Sequence, residues 1–131
     1  MESLGVMSLW LGHFATKKEL EEYIEVEFNE EGDRIRSLFM RDFKMGFSDY
    51  DEYLLEKTFK EEATSSLKRL LQNIAYEEQI LSQFVSRYGI ELQESFNAVI
   101  AIYDTQYDEE KDEVSLQGRR LVYMGSVVYE E

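Results

Sequence analysis

The chain has 131 residues, with 28 Asp plus Glu against 14 Lys plus Arg, one His, no Cys and no Pro, and a formal net charge of -14. The length predicts one domain over residues 1–131 with a modest core, and the acid excess argues against binding nucleic acid or an anionic membrane, because phosphate is held by Lys and Arg. The missing cysteine rules out disulfides, thiol catalysis and thiolate zinc sites.

Apolar residues make up 44% of the chain, which separates it from disordered acidic sequences. Residues 4–11 form an apolar run that reads as a buried strand. Glu2 stands where a signal peptide carries positive charge, and the run is too short to cross a bilayer, so the expected location is the cytoplasm. Thr16 lies three residues before Glu19, a capping-box spacing, and Leu20, Tyr23, Ile24 and Phe28 follow at helical intervals, predicting a helix over 17–28. A turn containing Gly32 comes next. Ile35, Leu38, Phe39 and Phe43 fit a short helix over 34–43.

Tyr53, Leu55 and Phe59 alternate, predicting a strand over about 52–59. Thr64 to Ser66 supply N-cap candidates for a helix whose stripe is Leu67, Leu70, Leu71 and Ile74. A second stripe, Ile80, Leu81, Phe84, Val85 and Tyr88, ends at Gly89. Residues 96–103 are apolar on both sides and predict a central strand. An acidic loop over 108–113 follows, and 119–129 returns as a long strand expected to pair with 96–103 as a hairpin. The expected class is α+β, a mostly antiparallel sheet with helices packed on one face. The last strand is a candidate open edge, so monomer and homodimer both stand.

His13 follows Gly12 in a loop, with no local partner to orient it, and reads as a surface residue and not as a catalyst. The acid clusters around Asp49 and around Asp104, Asp108, Glu109, Glu110, Asp112 and Glu113 do not form EF-hands. Counted from Asp49, the sixth and twelfth positions are Leu54 and Lys60 where Gly and Glu are needed; from Asp104 they are Glu109 and Ser115. No phosphate-loop, dinucleotide, serine-hydrolase or zinc-protease pattern occurs. The reading is therefore a non-enzymatic binder without metal or cofactor. Two other readings stay open, a small carboxylate-based hydrolase or metal-binding protein and a regulatory adaptor for a basic protein.

Tyrosines set among carboxylates give the binder reading its candidate surface. In Asp49, Tyr50, Asp51, Glu52 and Tyr53, with Glu56 beyond, the two rings would anchor a partner and the acids would pair with its Lys and Arg. The alternative for these rings is inward packing, with the acids merely solvated. For Tyr103, Tyr107 and the loop after them, inward packing is the preferred reading. Trp10 is assigned to the core.

The order of Val6-Met7-Ser8-Leu9-Trp10-Leu11-Gly12, Glu21-Glu22-Tyr23, Ser37-Leu38-Phe39-Met40-Arg41-Asp42, Asp49-Tyr50-Asp51-Glu52, Ala75-Tyr76-Glu77, Phe96-Asn97-Ala98-Val99-Ile100 and Tyr103-Asp104 resembles the immunity protein 22 family, over about residues 4 to 104 with a weaker match beyond. The resemblance implies a small α+β antitoxin of bacterial polymorphic toxin systems, which protects the producer by binding the toxin. Toxins of such systems are often nucleases, whose basic surfaces suit an acidic inhibitor. It carries no interface residues over to this chain.

Overall fold

The computed structural model describes residues 2–108, 111–116 and 118–131. Five strands form one antiparallel sheet in the order β4-β5-β1-β7-β6: β1 (Glu2–His13), β4 (Leu55–Ser66), β5 (Glu91–Thr105), β6 (Glu113–Leu116) and β7 (Arg119–Val128). Four helices, α1 (Lys17–Ile24), α2 (Leu38–Asp42), α3 (Leu67–Leu70) and α4 (Glu77–Tyr88), complete the α+β fold with a small separate hairpin, β2 (Glu27–Phe28) and β3 (Arg34–Ile35).

From Met7 to Gly12 strand β1 is buried on both faces, although Leu4 near its start is exposed, and the core divides there. Met7, Leu9 and Leu11 join Leu67, Leu70, Leu71, Ile80 and Phe84 on one side of the sheet. Trp10 joins Leu20, Tyr23, Phe39, Met40 and Phe43 on the other. The expectation of helices on one face is thus corrected: α3 and α4 cover one face, α1 and α2 the other. The expected hairpin of the last two long strands is also corrected. Strand β1 lies between β5 and β7, because a strand apolar on both sides needs hydrogen-bonded neighbours left and right as well as cover above and below.

Local chemistry sets the element ends. Thr16 Oγ1 accepts the Glu19 N–H at 3.1 Å and Glu19 returns a carboxylate to the Ala15 N–H, fixing the start of α1. The helix stops at Ile24, short of the predicted 28, because Asn29 accepts the N–H groups of Glu31 and Asp33 and closes the β2–β3 hairpin instead. Residues 34 and 35 therefore belong to a strand, and α2 begins only after Ser37, whose hydroxyl caps the Met40 N–H. The strand expected from 52 opens as a 3-10 turn, Glu52–Leu54, and becomes β4 at Leu55. After α3 the chain leaves the helix at Leu71, although Leu71 and Ile74 stay buried. Helix α4 ends at Gly89 as predicted, with φ +84.

The long last strand is not a free edge. Strand β6 covers β7 only over residues 119–122, and beyond that α4 takes over. Tyr88 donates to the Met124 carbonyl and Arg87 Nη2 to the Ser126 carbonyl at 2.7 Å. Gln83 donates to the Val128 carbonyl at 2.6 Å and accepts its N–H at 3.3 Å; Gln79 does the same for Glu130 at 2.8 and 2.9 Å. Arg87 passes so close to β7 that a Cβ on Gly125 would lie 2.5 Å from it, and Gly125 itself has φ +120. The edges of the sheet are β4 and the short β6.

Buried polar groups tie the layers. Asn97 accepts the Phe14 N–H at 3.0 Å and donates to the Phe14 carbonyl at 2.8 Å. Ser8, buried, donates to the Thr105 carbonyl and accepts the Tyr107 N–H, holding the segment after β5 against the sheet. Asn97→Ala removes both bonds to Phe14 and leaves two buried backbone groups unpaired, so it should cost about 2 kcal/mol or more. Urea unfolding should show that loss as a lower midpoint at unchanged slope.

Candidate functional site

The six residues singled out by sequence separate into different environments. Asp49 Oδ2 accepts the Gly46 N–H at 2.6 Å, closing the turn before it. Asp51 Oδ1 accepts the Tyr53 N–H at 2.9 Å and caps the 3-10 turn. Glu52 pairs with Arg34 at 2.6 Å, and the Arg34 guanidinium lies over the Phe47 ring, 4.2 Å from its centroid, so the β2–β3 hairpin is fastened to the turn.

The two rings diverge. Tyr53 is 95% exposed beside these acids, whereas Tyr50 is 8% exposed and packs edge-on against Phe39 at 6.2 Å. Tyr50 is accordingly a core residue, and its expected place as a surface anchor is corrected. Glu56 is turned to the opposite face by the alternation of β4. There it accepts the Tyr103 hydroxyl at 2.7 Å and the Ala75 N–H at 3.1 Å. Asp49, Asp51, Glu52 and Tyr53 remain together; Glu56 does not join them.

The surface around them is grooved. A 510 Å³ cleft is lined by Tyr50, Glu52, Leu55 and Lys57 on one wall and by Glu21, Ile24, Glu25 and Val26 on the other. A 680 Å³ cleft brings Arg34 and Phe47 to Tyr50, Asp51, Glu52 and Tyr53. A smaller one, 250 Å³, holds Glu2, Asp49, Asp51 and Asp104, with no cationic side chain among the described residues that line it. Sequence reading missed Glu21, Glu25, Arg34 and Phe47, since the predicted helices over 17–28 and 34–43 hid the hairpin that brings them here. The turn at Asn29 to Asp33 was expected, but as a link between helices and not as the tip of a hairpin. Phe28, on that hairpin, is 66% exposed.

The second acid cluster is partly structural. Asp104 accepts the Gly5 N–H at 2.9 Å and the Tyr129 hydroxyl at 2.6 Å, and these bonds hold its carboxyl below the usual range. Glu113 pairs with Arg120 at 3.3 Å. Glu109 and Glu110 lie outside the described residues. Tyr103 and Tyr107 are both buried, in line with inward packing. His13 is exposed at the end of β1. Among the described residues no group of three or more His, Cys, Asp and Glu side chains is arranged to hold a metal ion.

A family model described as Immunity protein 22 matches residues 7–130, extending beyond the stretch where the resemblance was strongest. No curated protein matches the chain, and no solved structure does.

Four tyrosines make stability sensitive to alkali. Burial, then the Glu52 charge, pushes Tyr50 up to about 12. Burial, reinforced by hydrogen bonds to Asp42, Glu56 and Asp104, pushes Tyr23, Tyr103 and Tyr129 well above the ordinary phenol value. In the unfolded chain a phenol ionises near about pH 10, so above that pH the folded state binds more protons than the unfolded one. The contribution is whole below about pH 10 and is lost as pH rises through the folded values. The urea midpoint should be flat between pH 7 and 9 and fall above 10, with phenolate absorbance rising in step with unfolding.

Proposed function

The chain belongs to the immunity protein 22 family, and on that premise we propose that it neutralises a cognate toxin by stoichiometric, non-covalent binding and performs no chemistry of its own. The family match over residues 7–130 carries this reading, since it spans nearly the whole chain. The toxin belongs to a polymorphic system and is a nuclease with a basic surface, acting in the cytoplasm of the producer. A net charge of -14 supports that partner. Opposite charges accelerate encounter within a Debye length, about 8 Å at physiological ionic strength. The lack of cysteine suits a reducing compartment, and among the described residues no helix is long and apolar enough to cross a membrane.

We assign the contact surface to Asp49, Asp51, Glu52 and Tyr53, with Tyr50 beneath as support. Tyr53 is the anchor: a ring exposed in the free protein offers large contact area at low entropic cost, and acids around it exclude and attract in the pattern of a hot spot and its rim. Carboxylate-based hydrolysis or metal binding draws no support from these groups, because Asp49, Asp51 and Glu56 already accept hydrogen bonds within the chain. An adaptor for some other basic protein differs in genomic setting, lacking a toxin gene alongside.

Co-expression with the C-terminal toxin domain encoded beside this chain should restore growth and yield a 1:1 complex. Arrested growth with no co-purification overturns the reading. Within that complex, Tyr53→Ala should raise Kd at least about tenfold, a loss of about 1.4 kcal/mol, while leaving thermal unfolding unchanged. An unaltered Kd removes Tyr53 from the interface.

A further inference from the structure

The chain shields one side of its sheet with its own side chains and leaves the other open. Along β7 and just past it, Tyr88, Arg87, Gln83 and Gln79 bond the carbonyls of Met124, Ser126, Val128 and Glu130. Strand β4, at the opposite end of the sheet, has β5 on its inner side only. From Leu55 to Phe59 it pairs with Ile102 to Ala98 residue for residue; the Leu55 N–H turns back to the Glu52 carbonyl, and among the described residues 56–59 make no backbone bond other than those to β5. The second half is blunted. Between Phe59 and Thr64 the register slips, and Lys60, Glu61 and Glu62 occupy the irregular stretch. The first half is straight, five residues or about 16 Å at about 3.3 Å each.

A trough runs along that straight half. The 510 Å³ cleft and a 290 Å³ cleft beside Thr58 and Phe59 share Glu21 and Lys57, so they join into one groove between β4 and the wall formed by α1 and the residues after it. Leu20, Ile24, Leu55 and Phe59 give it apolar lining. In the larger cleft Glu52 is already paired with Arg34, Lys57 is the cation among the lining residues, and among the described residues Glu21 and Glu25 have no ion pair.

We propose that this edge is where the partner docks, by adding an extended basic segment of the toxin domain as a sixth strand beside β4. Backbone bonds to residues 55–59 supply the hold, while alternate side chains of the segment enter the apolar lining and its Lys or Arg residues meet Glu21 and Glu25. A second copy of this chain is a poor occupant, because each copy carries a net charge of -14 and the segment must bring cations to the trough. The inference rests on the antitoxin reading and adds the mode of capture.

The test is residue-resolved amide hydrogen exchange on the full chain, free and in complex with the toxin domain, together with the double variant Glu21→Lys/Glu25→Lys. The amides of 55–59 that exchange fast in the free protein should slow at least tenfold in the complex. The double variant should raise Kd at least tenfold, and the reversal Glu78→Lys on α4 should leave it unchanged. Tight binding with exchange at 55–59 unaltered overturns strand addition and leaves the antitoxin reading standing. Failure to bind the toxin domain at all removes both. Protection of 55–59 in a self-associated species without toxin makes a second copy the occupant and overturns the proposal.

Discussion

The structure depends on a single strand, β1, that has no wet face from Met7 to Gly12. Met7, Leu9 and Leu11 point to one side of β1 and Trp10 to the other, all fully buried. Trp10 lies 5.0 to 5.9 Å, centroid to centroid, from the rings of Phe39, Phe43, Tyr107 and Tyr123. Burial of this kind is available only at the centre of a sheet with cover on both faces. The central place of β1, the splitting of the helices into two pairs and the displacement of β7 from β5 follow from it. Ser8, the polar side chain within the buried stretch of this strand, is bonded to the Thr105 carbonyl and the Tyr107 N–H and so makes the sheet centre hold the loop beyond β5.

Segments whose pattern is local were legible in the sequence. The apolar run of β1, the cap at Thr16, the stripe of α4 with its Gly89 stop, and the two-sided apolar β5 each carry their own periodicity. The topology was not legible, because nothing local in 96–103 or 119–129 says that a segment from the other end of the chain inserts between them. The β2–β3 hairpin was overlooked for a related reason: two strands of two residues have no period, and it is Asn29, bonded to two backbone N–H groups, that defines them. In the candidate surface the mixture of Tyr and acid at 49–53 was visible, but the 3-10 turn after Asp51 decides that Tyr50 goes inward and Tyr53 outward. The same change into β4 sends Glu56 to the far face.

The acids that give this chain its charge are not equivalent. Asp49 and Asp51 brace turns, Glu52 fastens the hairpin through Arg34, and Glu56 and Asp104 receive tyrosine hydroxyls. Such groups still contribute to the long-range field, yet reorienting them toward a partner disturbs the fold. Glu21 and Glu25, on the exposed side of α1 and just after it, carry charge without that obligation. Attraction at a distance and contact at close range can therefore be served by different carboxylates.

The way α4 holds β7 bears on how the chain can change over generations. A neighbouring strand secures an edge with main-chain groups that every residue except proline supplies, so no ordinary substitution removes them. Here the bonds to Val128 and Glu130 come from the side-chain amides of Gln79 and Gln83, one helical turn apart. The outer side of residues 128–130 is thus encoded in two codons, while their inner side is held by pairing with β1 and by Tyr129, which bonds Gly5 and Asp104; selection can tighten or release the outer fastening without altering the sheet itself.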